Sequence, residues 1–330
     1  MKKKRYIFSD GEFRRKDNTI YFETEEGKTY IPIEDLNDIY IFGEVTFNKK
    51  FIDFISQKEV CLHFFNYHGY YSGTYYPREH LNSGYMILNQ ARFYLEEDKR
   101  LFLAKGFVDG SHKNILKVLV YYKNRGKDLG GIIESIENLG TKIKDMNNVA
   151  KLMAIEGNIR EAYYEAFDII LENEDFVFEG RSRRPPKNEL NALISFGNSL
   201  LYILVLSEIY KTHLDPRIGY LHTTNFRRFT LNLDIAEIFK PIIIDRIMFT
   251  LIGKKMLTKK DFEKDMGGIL LKEKGRKIFV QSFNERLAST IAHRELGRNV
   301  SYQRLVRMEA YKLQKHFMEE EEYTPYISRW

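Results

Sequence analysis

Residues 60–77 read VCLHFFNYHGYYSGTYYP, residues 78–83 read REHLNS, and residues 84–95 read GYMILNQARFYL. The first stretch is rich in β-branched and aromatic side chains, with a turn signal from Asn66 to Gly69, which is how strands and the bend between them read. The last carries Leu88, Ala91, Tyr94 and Leu95 at spacings of three and four, the period of an amphipathic helix. The texture of the chain therefore changes just after Pro77. Upstream, short strand-like runs recur at Arg5–Phe8, Thr19–Thr24, Thr29–Ile33, Asp38–Phe42 and Val60–Phe65, parted by turns at Asp17-Asn18, Glu26-Gly27 and Gly43. One helix interrupts them, with Asn48 as its cap and Phe51, Phe54 and Ile55 on one face. Downstream the helical period continues, as at Leu116, Leu119 and Val120. Strands first and helices afterwards predict an α+β protein, not an alternating α/β fold. The expected organisation is a β-rich, sandwich-like domain over 1–77, a linker over 78–83 and an all-α domain over 84–330.

Composition narrows the class. The 330 residues are 43% hydrophobic, enough for a real core in each of two domains. The most apolar run, Leu200–Leu206, falls short of the ~18 residues of a membrane span. The basic start, Met1 to Arg5, leads into Tyr6-Ile7-Phe8-Ser9-Asp10 without the apolar stretch of a signal peptide. A lone cysteine, Cys61, excludes an internal disulfide and a multi-cysteine zinc site, and between Val60 and Leu62 it reads as a buried strand residue. A cytoplasmic protein with no membrane partner is the expectation. The formal net charge of +6 allows nucleic acid as a partner without establishing it.

Three segments of the helical half carry candidate chemistry. In the first, Leu152, Ile155, Ile159, Tyr163 and Phe167 form an apolar helical face on which Glu156 also lies. A carboxylate there is costly unless something pairs with it. Gly157 follows, at a cost of roughly 1 kcal/mol relative to alanine inside a helix, which makes sense where another backbone or a ligand must approach. The plain alternative is that Glu156 only pairs with Arg160 one turn on. The second segment holds His222 near a loop that follows Asp215-Pro216. In the third, Asp234 and Glu237 stand three apart, so both project from one side of a helix, and the plain alternative is a polar face with Glu237 near Lys240. Together, one glutamate, one histidine and a carboxylate pair offer oxygen and nitrogen ligands suited to Mg2+ or Mn2+. Arg181, Arg183, Arg184 and Lys187 surround Pro185-Pro186, and Arg227 and Arg228 lie between the histidine and the carboxylates. Such groups suit phosphate contact.

The motifs AIEG (154–157), RSRRPPKNELNALISFG (181–197), GYLH (219–222), LNLDIAEIFKP (231–241) and VSYQRLVRMEAYKL (300–313) occur in that order. Through them nearly the whole chain resembles the CRISPR-associated integrase-endonuclease family, the larger subunit of the spacer-acquisition complex. The resemblance implies a β-domain followed by a helical catalytic domain, and a homodimer made largely through the β-domain. It also implies a small ferredoxin-like companion subunit and DNA as partner, both as captured fragments and as the CRISPR repeat and leader. By motif position the Mg2+ or Mn2+ ligands fall on Glu156, His222 and Glu237. Asp234 matches a further acidic position close to the metal, and Lys240 a basic active-site position. The expected activity is phosphodiester transesterification by the 3′-hydroxyl of a captured fragment, or hydrolysis when water attacks. Arg181, Arg183, Arg184, Lys187, Arg227 and Arg228 are expected to hold DNA. The competing readings are a metal-dependent phosphodiesterase acting on RNA or small phosphate esters, and a non-catalytic DNA-binding scaffold.

Overall fold

The computed structural model describes all residues except 1, 2, 78–80, 82, 184, 225–228, 266, 294, 295 and 330. Arg184, Arg227, Arg228 and most of the 78–83 linker therefore lie outside the described residues. The chain divides into two units, Met1–His80 and Leu81–Trp330.

The first unit holds β1 (Lys3–Ile7), β2 (Gly11–Lys16), β3 (Thr19–Thr24), β4 (Gly27–Ile31), β5 (Leu36–Ile41), β6 (Val45–Phe47), α1 (Lys49–Gln57), β7 (Cys61–Phe65) and β8 (Tyr71–Tyr75). They form two four-stranded sheets, ordered β1-β5-β7-β8 and β4-β3-β2-β6. Phe13, Ile20, Phe22 and Ile31 of one sheet, Ile39, Ile41 and Leu62 of the other, and Phe51, Phe54 and Ile55 of α1 close on a shared apolar core. Ile20 and Phe22 of β3, Ile39 and Ile41 of β5, and Leu62 and Phe64 of β7 reach it from alternate positions, as the pleat requires. Asn48 caps α1 as expected, its side-chain oxygen accepting the Phe51 N–H at 3.0 Å. Cys61 opens β7 and is buried.

The second unit holds α2 (Gly84–Leu95), α3 (Glu97–Lys123), α4 (Gly130–Thr141), α5 (Val149–Leu171), α6 (Glu189–Tyr210), α7 (Leu231–Lys240), α8 (Arg246–Gly253), β9 (Phe262–Asp265), β10 (Gly268–Leu271), α9 (Glu273–Ala288), β11 (Thr290–His293), β12 (Arg298–Ser301) and α10 (Tyr302–Phe317). The α+β class holds, and the helical unit also carries two small antiparallel hairpins, β9–β10 and β11–β12, that the sequence reading did not anticipate. Nor do the strand-like runs of the sequence cover β2 and β6. In GEFRRK (11–16) only Phe13 is buried and charge fills the rest, so alternation is hard to see.

The apolar material of α6 extends well beyond Leu200–Leu206. By length and composition this helix could cross a membrane, but most of it is buried inside the protein. It is a core helix, and α7 packs against both it and α3. Every residue of α7 except Leu233 is buried, including Asp234, Glu237 and Lys240. Three ionisable groups so enclosed need partners, because an unpaired buried charge is among the costliest defects a core can carry.

The C-terminal residues brace α7 from the far side. Tyr326 stacks on Phe239 with ring centroids 5.8 Å apart. The Asn114 amide donates to the carbonyls of Ile238 and Tyr326, at 2.9 and 3.0 Å. At the end of α7, Pro241 has no N–H to continue the ladder, and the chain widens into one π-helical turn, Pro241–Asp245, before α8.

Candidate active site

The partner of Asp234 is a loop. Its Oδ2 accepts the backbone N–H groups of Tyr220 and Leu221 at 2.6 and 3.1 Å. Its Oδ1 accepts the His222 N–H at 2.9 Å and meets His222 Nδ1 at 2.7 Å. Asp234 is fully buried, so four donors converge on one desolvated carboxylate. The loop reaches it because Gly219 lies against the start of α7: a Cβ there would come within 2.7 Å of the Thr230 carbonyl carbon. Gln90 fixes the loop's entrance, accepting from Asp215 N–H at 2.7 Å and donating to Asp215 O at 3.1 Å. His222 is thus held by its Nδ1, which leaves Nε2 as the nitrogen with coordinating capacity. Burial works against a charged imidazole, but the hydrogen bond and charge of Asp234 outweigh it and raise the His222 pKa.

Glu237, one turn along α7, faces elsewhere. Its Oε1 is hydrogen-bonded to Lys240 and its Oε2 accepts from Arg160 of α5 at 2.9 Å. Burial opposes its charge, yet Lys240, Arg160 and His222 bring its pKa down to about 2. Glu156 is in the opposite position. Burial and then the charge of Glu237 push its pKa up, and the attraction of Arg160, Lys240 and His222 does not compensate. The closest Arg160 nitrogen is 3.8 Å from Glu156, because the guanidinium turns toward Glu237 instead. Of the two pairings that the plain alternatives call for, Glu156 with Arg160 is present but long, and Glu237 with Lys240 is a close hydrogen-bonded pair. Two carboxylates from different helices face one another, and only one has its charge satisfied.

Arg160 and Asp245 belong to the same cluster, although in the sequence Arg160 reads only as an ion-pair partner of Glu156 and Asp245 carries no signal. Arg160 also lies 3.9 Å from Asp245, whose own pKa is raised to about 6, chiefly by burial. The π-helical turn sets Asp245 there, so no regular helical period from Glu237 points to it.

The basic candidates separate. Arg181 is half-buried, and its guanidinium donates to Ser182 O, to Asn191 Oδ1 at 2.8 Å and to Ser195 Oγ at 3.0 Å. It borders Tyr164 and Tyr202, and the Tyr202 ring lies 5.1 Å from Lys240 Nζ. Arg183 and Lys187 are exposed.

Gly157 is exposed midway along α5, and a Cβ added to it would meet no described atom within 4 Å. No backbone of the described chain approaches it. Gly157→Ala is therefore expected to stabilise α5, raising the unfolding temperature by about 2–4 °C, which a thermal melt reads directly.

The donor set suits a hard divalent cation: two carboxylates, plus an imidazole whose other nitrogen is tied to a buried carboxylate, the usual outer support of a metal-binding histidine. In the described residues no three His, Cys, Asp or Glu side chains are gathered tightly enough to enclose an ion as they stand. Glu237 has both oxygens engaged by Lys240 and Arg160, and would have to leave them to hold a cation.

The fold, a β-rich unit followed by a helical unit, is shared with solved structures. A Cas1 protein from Thermotoga maritima superposes with a TM-score of 0.89 at 47% identity, covering 98% of this chain and 99% of that one. A casposase bound to its integration product shares the fold, with a TM-score of 0.87 at 20% identity, covering 100% of this chain and 96% of that one. A CRISPR-associated endonuclease Cas1 of Thermodesulfovibrio yellowstonii is 61% identical over the full length of both chains. The sequence profile of CRISPR associated protein Cas1 matches residues 5–285. The chain belongs to the Cas1 family.

Proposed function

We propose that the chain is a metal-dependent DNA endonuclease and integrase of CRISPR adaptation, joining 3′-hydroxyl ends of captured fragments into the array. The observation that carries this reading is Glu156: a half-buried carboxylate whose pKa is raised by burial and Glu237, on a helix where an ordinary ion pair would have lowered it. Glu156, His222 and Glu237 would hold Mg2+ or Mn2+. A divalent cation so held neutralises charge that builds on a scissile phosphate. Asp234 holds the loop and orients the imidazole. Lys240 and Arg160 lie where they can offset negative charge once Glu237 leaves them. Arg183 and Lys187 contact the DNA backbone, and Arg181 shapes the wall between them and the cluster.

In the reaction, a fragment's 3′-oxygen bonds to phosphorus as the bond to the target strand's own 3′-oxygen breaks. The proton lost by the attacking hydroxyl is balanced by the one gained on the leaving oxygen. Family membership extends the proposal to a homodimer formed through the β-rich unit, a small ferredoxin-like companion subunit, the CRISPR repeat and leader as target, and a cytoplasmic setting. The scaffold reading gives no reason for the uncompensated charge of Glu156.

The test is strand joining by the purified protein, with the companion subunit added, on a labelled fragment and a supercoiled or branched target. Joining is expected with Mn2+ or Mg2+ and lost on chelation. Metal-independent binding without joining under any of these conditions would return the scaffold reading.

A further inference from the structure

Residues 254–277 contain nine lysines and arginines against four aspartates and glutamates, and so hold five of the chain's six net positive charges. The fold gathers them at one corner. Asp261 caps the turn at Lys259–Asp261, its Oδ2 accepting the Thr258 N–H at 2.9 Å and the Thr258 hydroxyl at 3.1 Å. The Lys272 N–H donates to Asp261 O at 2.9 Å, and Lys272 Nζ donates to Lys260 O at 3.0 Å. A Cβ on Gly275 would come within 3.2 Å of the same Asp261 carbonyl. Lys259, Lys260, Lys272 and Lys274 are therefore neighbours, although 15 positions separate the first from the last. Lys264 stands on β9, opposite Ile269.

Of the corner's four acids, Glu263 is exposed and Asp265 half-buried on β9 beside Lys264, and the other two are engaged within the corner. Asp261 is buried in its cap, 4.0 Å from Lys274 Nζ, and Glu273 pairs with Lys277 at 2.6 Å. Lys259, Lys260 and Lys264 are exposed and make no ion pair among the described residues, and the Lys274 side chain is 82% exposed. The Glu174–Phe176 turn also borders the corner with acid, where Phe176 meets Phe262 with ring centroids 5.8 Å apart. On the other side, β10 supports the 181–187 segment. The Ile269 N–H donates to Pro186 O at 2.8 Å, and a Cβ on Gly268 would sit 2.4 Å from Pro185 Cβ. The hairpin is thus joined to the segment that carries the exposed Arg183 and Lys187.

We infer that this corner is a docking track for the phosphate backbone of double-stranded DNA, leading duplex toward the Glu156–Glu237 cluster. The inference rests on the proposed function for what lies at the end of the track. Compact ammonium groups on flexible stems suit phosphate as point charges, without reading sequence. Single-stranded DNA would call for exposed rings on which bases stack. The corner's one aromatic ring, Phe262, is buried. Hence duplex, not single strand.

The experiment uses the full chain with Lys259, Lys260, Lys264 and Lys274 all changed to alanine, and a second protein with the same four changed to arginine. Binding to a blunt duplex and to a single strand of equal length is followed across salt concentrations, with Mn2+ affinity measured alongside. The alanine protein should lose about 2–4 from the slope of log K against log salt for duplex, since each neutralised phosphate contributes ~0.9. Its single-strand affinity should change less than about twofold, well below the duplex loss expected from those contacts. Its Mn2+ affinity should match wild type, and the arginine protein should recover the slope. An unchanged duplex slope, or equal losses on both DNAs, overturns the track. Wild-type protein that binds duplex with the full slope but never joins strands would remove the proposed activity and leave the track standing.

Discussion

Changing Glu156 to glutamine is expected to abolish metal-dependent joining while leaving the protein as stable as wild type or more so. The two effects have one cause. Glu156 and Glu237 confront each other in a buried cluster, and the arginine between them favours Glu237. Glutamine keeps the shape and removes the conflict, so the unfolding temperature should hold or rise by about 1–3 °C, the equivalent of up to ~1 kcal/mol. Arg160 retains Glu237 and Asp245 as partners. The rate of joining should fall by about a thousandfold, because charge stabilisation of several kcal/mol disappears with the ligand. A variant that melts well below wild type yet still joins strands would identify Glu156 as a structural ion pair. Stability that improves as function vanishes is the signature of a residue kept for function.

Asp234→Ala should behave in the reverse way. The substitution strands the N–H groups of Tyr220, Leu221 and His222 and frees the imidazole. Buried donors left without acceptors, next to a lost charge-assisted network, cost about 3 kcal/mol. In a unit of this size that lowers the unfolding temperature by about 6–12 °C. Because His222 loses only its orientation, Mn2+ affinity should weaken by about 10–100-fold and not vanish, as when the outer partner of a metal-binding histidine is removed. Joining should then recover in part at high Mn2+, a rescue not expected of Glu156→Gln. Thermal melts and Mn2+ titrations of the two variants side by side separate a ligand from the residue that positions one. Equal effects of the two substitutions on both readouts would erase that distinction.

These opposite expectations also mark where the sequence stops being legible. Glu156 was visible because helical periodicity is local: a carboxylate on the Leu152–Ile159 face stands out within two turns. The spacing of Asp234 and Glu237 likewise put both on one side of a helix. What they face depends on the tertiary fold. Asp234 turns to the 220–222 loop and Glu237 to α5, and nothing in a three-residue spacing tells them apart. Arg160 could be read only as the i+4 partner of Glu156, whereas its hydrogen bond goes to Glu237, 77 positions away. Asp245 was hidden because Pro241 breaks the α-helical period on which such inferences run. Of the strands that escaped notice, β2, β9 and β10 are short or charged on their open faces. Their pairing is set by partners across the sheet more than by their own composition. Arg181 reads like its neighbours Arg183 and Lys187 in the sequence, and only the fold ties it to Asn191 and Ser195.

The most direct test of the central claim, that Glu156, His222 and Glu237 together hold a divalent cation, is a Mn2+ binding titration on the purified full chain, read by calorimetry and by the spin resonance of free Mn2+. Wild type is run beside Glu156→Ala, His222→Ala and Glu237→Ala. The account predicts one tightly bound Mn2+ per chain in wild type, and a loss of tight binding in each variant, with all three still folded by circular dichroism. Tight binding that persists undiminished in folded Glu156→Ala and Glu237→Ala proteins would contradict it.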